Sequence, residues 1–158
     1  MQKIIAFAAL SLLALTGCPS EHIRLYHTEP VAPQLTREDV EAMNHMGGVR
    51  TDTGVNFAVY SENATRIDVL LFDDPESEVP AQQFELLPIR EGSPVWSLYV
   101  EGIGLGQHYG YIAWGPNWEY HADWFPGAID GFVADVDGAG NRFNPNKLLI
   151  DPYARALH

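Results

Sequence analysis

Hydrophobic and polar residues alternate with a period of two from about residue 47 onwards. In residues 55–60, Val55, Phe57 and Val59 occupy every second position, which predicts a strand with one buried face. Further apolar runs predict strands over residues 67–71, 83–87, 95–100 and 108–114. Clusters of Gly, Pro, Asp and Asn separate these runs. Short strands at regular spacing predict an all-β domain, an immunoglobulin-like β-sandwich.

The stretch from Gly115 to Asn141 interrupts this rhythm. A loop of this length inside a compact domain is usually functional or disordered. It carries aromatic residues and then three acids: Trp118, Tyr120, His121, Trp124 and Phe125, followed by Asp130, Asp135 and Asp137. The segment 141–153 then predicts an Asn- and Pro-containing turn that feeds a short apolar strand, 148–150, which Asp151-Pro152 ends.

The first residues predict an export leader. Lys3 supplies a positive charge, and residues 4–15 are an apolar core too short for a mature membrane span. Leu15-Thr-Gly-Cys18 resembles the lipobox of bacterial lipoproteins, in which the cysteine becomes the lipidated N-terminus. We therefore expect a signal peptide over 1–17 and lipidation at Cys18; the alternative is an ordinary signal peptide with an accidental cysteine.

Residues 18–46 contain scattered prolines and little periodicity, which predicts a flexible tether to the domain at 47–153. Thr36-Arg-Glu-Asp39 has capping-box spacing and favours a short helix through Met43. The dispersed residues His22, His27 and His45 do not predict a metal site.

Length and charge bound the function. A chain of 158 residues holds one domain with a hydrophobic core, and its formal net charge of −12 argues against nucleic acid, whose phosphates it would repel. A neutral polysaccharide is indifferent to this charge. A single cysteine excludes an internal disulfide.

Three separated motifs resemble one enzyme family. They are Arg142-Phe-Asn-Pro-Asn-Lys-Leu-Leu-Ile-Asp-Pro-Tyr-Ala154, Gly54-Val-Asn-Phe-Ala-Val-Tyr-Ser-Glu-Asn-Ala-Thr-Arg-Ile67 and Tyr109-Gly-Tyr-Ile-Ala-Trp-Gly-Pro-Asn-Trp118. Together they resemble the N-terminal domain of isoamylases and bacterial glycogen debranching enzymes in glycoside hydrolase family 13, over about residues 46–154. This domain is similar to carbohydrate-binding module family 48. The long loop is closer to secreted bacterial isoamylases than to the cytoplasmic debranching enzymes.

The resemblance implies a module without catalysis of its own. Family members hydrolyse α-1,6-glucosidic bonds with carboxylates on a (β/α)₈ barrel, and such a barrel needs about 250 residues. We carry over no catalytic residue and expect this chain to be inactive alone. Residues 154–158 are expected to begin the linker to that barrel.

Flat aromatic side chains beside an amide suit a glucan, because sugar rings lay their C–H faces on such surfaces. The candidates are Trp114, Asn117, Trp118, Tyr120 and Trp124. The alternative is that they pack the loop onto the sandwich or against the barrel. Asp135-x-Asp137 has the opening of a calcium loop, but Ala139 stands where that loop needs an oxygen ligand, so no metal and no cofactor are expected.

The leading interpretation is the N-terminal, non-catalytic module of an isoamylase-type debranching hydrolase. Its expected partners are α-glucan (glycogen or amylopectin), the catalytic barrel, and a membrane reached through Cys18, at the bacterial cell envelope and by default at the outer membrane. One alternative is a free-standing, lipid-anchored glucan-binding protein. Another is a surface adhesin or scaffold that shares only the fold.

Overall fold

A computed structural model describes Arg37, Ala42 and residues 44–155. Within this part of the chain lie six strands: β1 (Gly47–Arg50), β2 (Gly54–Tyr60), β3 (Arg66–Phe72), β4 (Gln82–Pro88), β5 (Val95–Glu101) and β6 (His108–Trp114). The five predicted strands are confirmed, and β6 has the predicted bounds. Arg37 and Ala42 are helical, as a short helix over 36–43 requires. The predicted signal peptide, Cys18 and most of the tether lie outside the described residues.

All strand pairs are antiparallel, in the order β1-β2-β5-β4-β3-β6. Strand β4 joins the two halves of this sheet. Its residues Gln82–Leu86 pair with β3, whereas Leu87 and Pro88 pair with Ser97 and Trp96 of β5. The sheet therefore curls at β4, and its halves face each other as the two layers of a sandwich. The all-β, immunoglobulin-like fold is confirmed.

The core fills the space between the two layers. Phe57 from one layer and Val69 and Leu86 from the other are almost fully buried. The remaining buried members of this core are Val55, Ile67, Leu71, Trp96, Val100, Tyr111 and Ala113. Their alternation along each strand explains why a period of two was readable in the sequence.

Strand β3 differs from its prediction because both of its faces are buried. Ile67, Val69 and Leu71 face the core as expected, but Asp68 and Leu70 on the other face are 0% and 8% exposed. A second apolar cluster covers that outer face, and its members come from β3, β6 and the loop that follows β6: Leu70, Ile112, Trp114 and Trp118, with Phe72 and Trp124 packed against them. The long loop therefore forms an extra layer over the sandwich.

The predicted strand at 148–150 is wrong. Only Leu149 pairs, through one antiparallel bridge to Tyr111 at the edge of β6. The side chains of Leu148, Leu149 and Ile150 are 52%, 46% and 66% exposed. This apolar run reads as a buried strand, but no described element covers it. The described residues also contain no helix long and apolar enough to span a membrane.

Candidate functional site

The loop leaves β6 through a tight turn. Gly115 and Trp118 exchange two backbone hydrogen bonds of 3.0 and 2.9 Å around Pro116 and Asn117. Trp118 then bridges to Phe132, so that the loop returns on itself as a small ladder. A two-residue turn keeps the following aromatic residues next to the sheet they have just left.

Asn117 fixes the two ends of the loop together. Its side-chain Nδ2 donates to the carbonyl oxygens of Ala134 (3.1 Å) and Phe143 (2.9 Å), and its Oδ1 accepts the Phe143 backbone N–H at 2.7 Å. Its own carbonyl oxygen accepts the N–H groups of Val133 and Ala134. The residue is fully buried and both of its amide hydrogens are used. Asn117 therefore organises the loop and is closed to a ligand in this arrangement.

Two of the predicted tryptophans are also buried. Trp114 is 0% exposed and Trp118 is 6% exposed. The Trp118 indole donates from Nε1 to the Asp130 carbonyl oxygen (2.9 Å), and its ring meets Phe132 edge to face at 4.9 Å. These two side chains pack the loop onto β3 and β6.

Tyr120 and Trp124 lie closer to the surface. Both meet the Trp114 ring edge to face, at 5.3 and 5.1 Å between centroids. Tyr120 is 45% exposed, and Trp124 is partly buried. The structure therefore brings all five predicted residues into one region, but only these two aromatic rings reach solvent. Glucan contact through this set stays a prediction.

Arg66 is the part of this region that the sequence did not single out. Its guanidinium carbon lies 4.0 Å from the Tyr120 ring centroid and 5.6 Å from that of Trp114. Nε and Nη2 bind both carboxylate oxygens of Asp68 (2.8 and 3.0 Å), and Nη1 lies 2.9 Å from Glu85 Oε2. Burial alone would lower the pKa of Arg66, but Asp68 and then Glu85 outweigh it and raise the pKa.

Gln83 completes this polar row. Its Nε2 donates to Asp68 Oδ2 at 2.6 Å, and its side chain stands on β4 beside that of Glu85. The Arg66 guanidinium that lies over the Tyr120 ring is thus joined to the Glu85 carboxylate directly and to the Gln83 amide through Asp68. Arg66 and Asp68 are two residues apart on one strand and therefore share a face, which was the only signal in the sequence for this group.

Asp137 stabilises the loop through hydrogen bonds to neighbouring residues. The Asp137 carboxylate accepts the backbone N–H groups of Ala139 and Asn141 (both 2.9 Å) and the Asn141 side-chain amide (2.7 Å). These bonds, led by the Asn141 side chain, hold the pKa of Asp137 below its ordinary value. Across the described residues, no three His, Cys, Asp or Glu side chains are grouped to hold a metal ion.

A second surface follows the loop, at residues 148–153. Its backbone is held by the two hydrogen bonds between Leu149 and Tyr111 (2.9 and 2.7 Å). The buried Asp151 accepts the Tyr109 hydroxyl at 2.7 Å through Oδ2 and the Tyr153 N–H at 2.8 Å through Oδ1. Burial, and next the hydrogen bond to Asp151, raise the pKa of Tyr109. The exposed apolar side chains of this surface are therefore carried by a backbone that hydrogen bonds to β6 hold in place.

Comparison with known proteins identifies the domain. Residues 45–154 match carbohydrate-binding module 48, the isoamylase N-terminal domain. The chain is 48% identical over 111 residues to an isoamylase of Flavobacterium sp, covering 64% of this chain and 14% of that protein. It is 45% identical over 108 residues to the isoamylase of Pseudomonas amyloderamosa, covering 65% and 14%. It is 38% identical over 112 residues to the glycogen debranching enzyme of Yersinia enterocolitica, covering 71% and 13%.

Among solved structures, the pullulanase from Bacillus acidopullulyticus matches with a TM-score of 0.46 and 20% identity, over 71% of this chain and 10% of that one. The chain spans about 14% of the length of the isoamylases it matches. The family match covers the six strands, the long loop and the segment after it, and it agrees with the three sequence motifs. The chain belongs to the carbohydrate-binding module 48 family of isoamylase N-terminal domains.

Proposed function

We propose that this chain acts as the N-terminal, non-catalytic module of an isoamylase-type hydrolase that debranches α-1,6-linked glucan such as glycogen or amylopectin. The family supports this role, and so do relatives that carry the names isoamylase and glycogen debranching enzyme. The module has two tasks, docking on the catalytic barrel and contact with glucan.

The anchored apolar run at residues 148–153 carries the docking role. Leu148, Leu149, Ile150 and Tyr153 are 46–66% exposed, although the backbone between them is fixed by Tyr109 and Tyr111. Ordered apolar side chains grouped on a surface mark an interface. Because this run leads out of the domain, its occupant is the catalytic barrel of the same enzyme.

The glucan-facing surface is built around Tyr120. Its ring is 45% exposed, with one face covered by Arg66, and offers its remaining surface to a glucose unit, while Arg66 and the Glu85 and Gln83 side chains linked to it through the same ion-pair network supply hydrogen-bonding groups for sugar hydroxyls. Trp124 extends this surface. Trp114, Trp118 and Asn117 position the two rings from beneath and do not touch the sugar.

Export and a lipid anchor at Cys18 belong to the same proposal. The leader, the lipobox-like sequence and the position of the single cysteine support them. Labelling source cells with a radioactive fatty acid and immunoprecipitating the protein tests the anchor. The label should be present in the wild-type protein and absent from a Cys18→Ser variant; an unlabelled wild-type protein would contradict it.

The size of the native protein tests the docking role. An immunoblot of source cells with an antibody against residues 47–153 should detect a species heavier by about 250 residues or more. A band near 17.6 kDa would contradict the docking role and leave the free-standing glucan-binding protein.

A matched pair of substitutions then tests the surface in that longer protein. Ile150→Ser should lower its melting temperature, because an apolar contact with the barrel is lost. Val79→Ser, at an equally apolar position that is 74% exposed on the β3–β4 connection, should leave it unchanged. Equal melting temperatures for the two variants would remove residues 148–153 from the interface.

A further inference from the structure

A cavity of about 390 Å³ opens on the side of the sandwich remote from Tyr120. Its floor is formed by Val55 and Phe57 of β2 and by Tyr109 of β6, and its rim by residues 104–107 and 153–155. Cavities of 300–1,000 Å³ with mainly apolar walls are typical small-molecule sites.

The strand order explains why the cavity exists. Strands β1 and β6 are the two ends of the curled sheet and do not pair with each other. They lie close together at Gly48, where a Cβ would lie 3.1 Å from the Tyr109 hydroxyl oxygen. The seam between them stays open beyond this point, towards Arg50 and the start of β6.

The charge of the lining is opposite to that of the chain. The sequence has 21 acidic and 9 basic residues, yet the lining holds Arg50 and Arg155 and no Asp or Glu. Neither arginine side chain forms an ion pair or hydrogen bond with a described residue. Together they present ten N–H donors and no acceptor.

Two further polar groups of the lining already have partners. The Gln107 side-chain nitrogen donates to the carbonyl oxygens of Phe72 (2.9 Å) and His108 (3.1 Å). The Tyr109 hydroxyl donates to Asp151. A ligand therefore meets two guanidinium groups and the side chains of His108 and Tyr153 among mainly apolar walls. The hydroxyl groups of a neutral sugar also need hydrogen-bond acceptors, and this lining supplies few of them. An ionised phosphate group at neutral pH offers only acceptors and therefore suits the guanidinium donors.

We propose that this cavity binds a phosphate monoester of a glucosyl unit, with the phosphate on Arg50 and Arg155 and the sugar ring against the apolar wall at Leu105. The sugar half of this assignment rests on the proposed glucan-binding function. The site is separate from the Tyr120 surface, because the two lie at opposite ends of β6, about 20 Å apart for a seven-residue strand.

Calorimetric titration of the purified full chain tests the site with glucose 6-phosphate, glucose and inorganic phosphate as probes. Glucose 6-phosphate should bind at least tenfold more tightly than either of the other two. The double variant Arg50→Ala/Arg155→Ala should weaken that binding at least tenfold. Arg142→Ala, which removes an exposed arginine outside the cavity, should leave it unchanged.

Three results would overturn the inference: no binding of glucose 6-phosphate, equal binding of inorganic phosphate, or equal binding by the double variant and the wild type. Circular dichroism of each variant confirms that the fold is intact. Phosphorylated and enzymatically dephosphorylated amylopectin then show whether the ester belongs to a glucan or to a free hexose phosphate. Binding of unphosphorylated glucan that depends on Tyr120 would uphold the proposed function even if this cavity bound nothing.

Discussion

The side-chain amide of Asn117 and the backbone of Phe143 form a reciprocal pair of hydrogen bonds, 2.9 Å from Nδ2 to the carbonyl oxygen and 2.7 Å from the N–H to Oδ1. The Asn117 side-chain amide therefore bonds the backbone of Phe143 as a neighbouring strand would, and satisfies the N–H and the carbonyl of the chain after the loop. Through this pair, the start of the loop and the segment that follows it are held together.

Replacing Asn117 with Ala should destabilise the domain by about 3 kcal/mol, since buried backbone groups of Ala134 and Phe143 lose their partners. Urea unfolding monitored by tryptophan fluorescence measures the change. Asn63→Ala, an exposed asparagine in the β2–β3 turn, is the control and should shift the free energy of unfolding by less than about 0.5 kcal/mol. Similar losses for both variants would show that the amide does not organise the loop.

Gly115 permits the Phe143 ring to lie against the turn. A Cβ at this position would lie 2.1 Å from Phe143 Cδ2, so Gly115→Ala should displace the ring and destabilise the domain by about 2 kcal/mol. Gly138→Ala, where a Cβ meets nothing within 4 Å, is the matched control for thermal melting. Adding Phe143→Leu to Gly115→Ala should restore part of the loss; full additivity of the two would contradict the contact.

Two neighbouring tyrosines on β6 should respond in opposite ways to removal of the hydroxyl. Tyr109 donates to the buried Asp151, so Tyr109→Phe should cost about 1–2 kcal/mol. The buried Tyr111 hydroxyl has no hydrogen-bond partner among the described residues, so Tyr111→Phe should leave stability equal or raise it by up to about 1 kcal/mol. Chemical denaturation of the two variants decides this, and the opposite order would show that Tyr111 is the anchored residue.

Stability should fall in alkaline solution. Burial raises the pKa of both Tyr109 and Tyr111, and the hydrogen bond to Asp151 adds to this for Tyr109. Because the unfolded tyrosines ionise near pH 10 and the folded ones above it, this contribution is complete below about pH 10 and is lost as pH rises further. Denaturation midpoints from pH 8 to 11 measure the effect. Tyr109→Phe should flatten the profile; an unchanged slope would exclude Tyr109 as a source.

Tyr120 should contribute to glucan affinity. Removing its ring in Tyr120→Ala should weaken binding to amylopectin about tenfold, equivalent to about 1.4 kcal/mol, through loss of the stacking face. Affinity electrophoresis in gels containing amylopectin measures this. Tyr60→Ala, at a ring of comparable exposure on β2, should migrate as the wild type does. Equal retardation of both variants would remove Tyr120 from the glucan surface.

The strands were predictable because each has an inner face packed on one core. Strand β6 was predicted from His108 to Trp114 and is observed with those bounds. Strand β1 was not predicted as a separate element, since four residues containing two glycines carry little pattern. The run at 148–150 was assigned to a strand because an apolar run shows which side chains avoid water, but not whether the covering partner belongs to the same domain.

The sequence by itself determined the all-β fold, the family and the region of the candidate site. Alternation of apolar and polar residues and the short motifs both depend only on residues close together in the chain. Only the tertiary structure decided which aromatic rings are buried, that Asn117 is a structural clamp, and that Arg66 stacks on Tyr120. It also placed Arg50 and Arg155 around one cavity. These relationships join residues far apart in the chain, and sheet pairing, which brings them together, leaves no local pattern in the sequence.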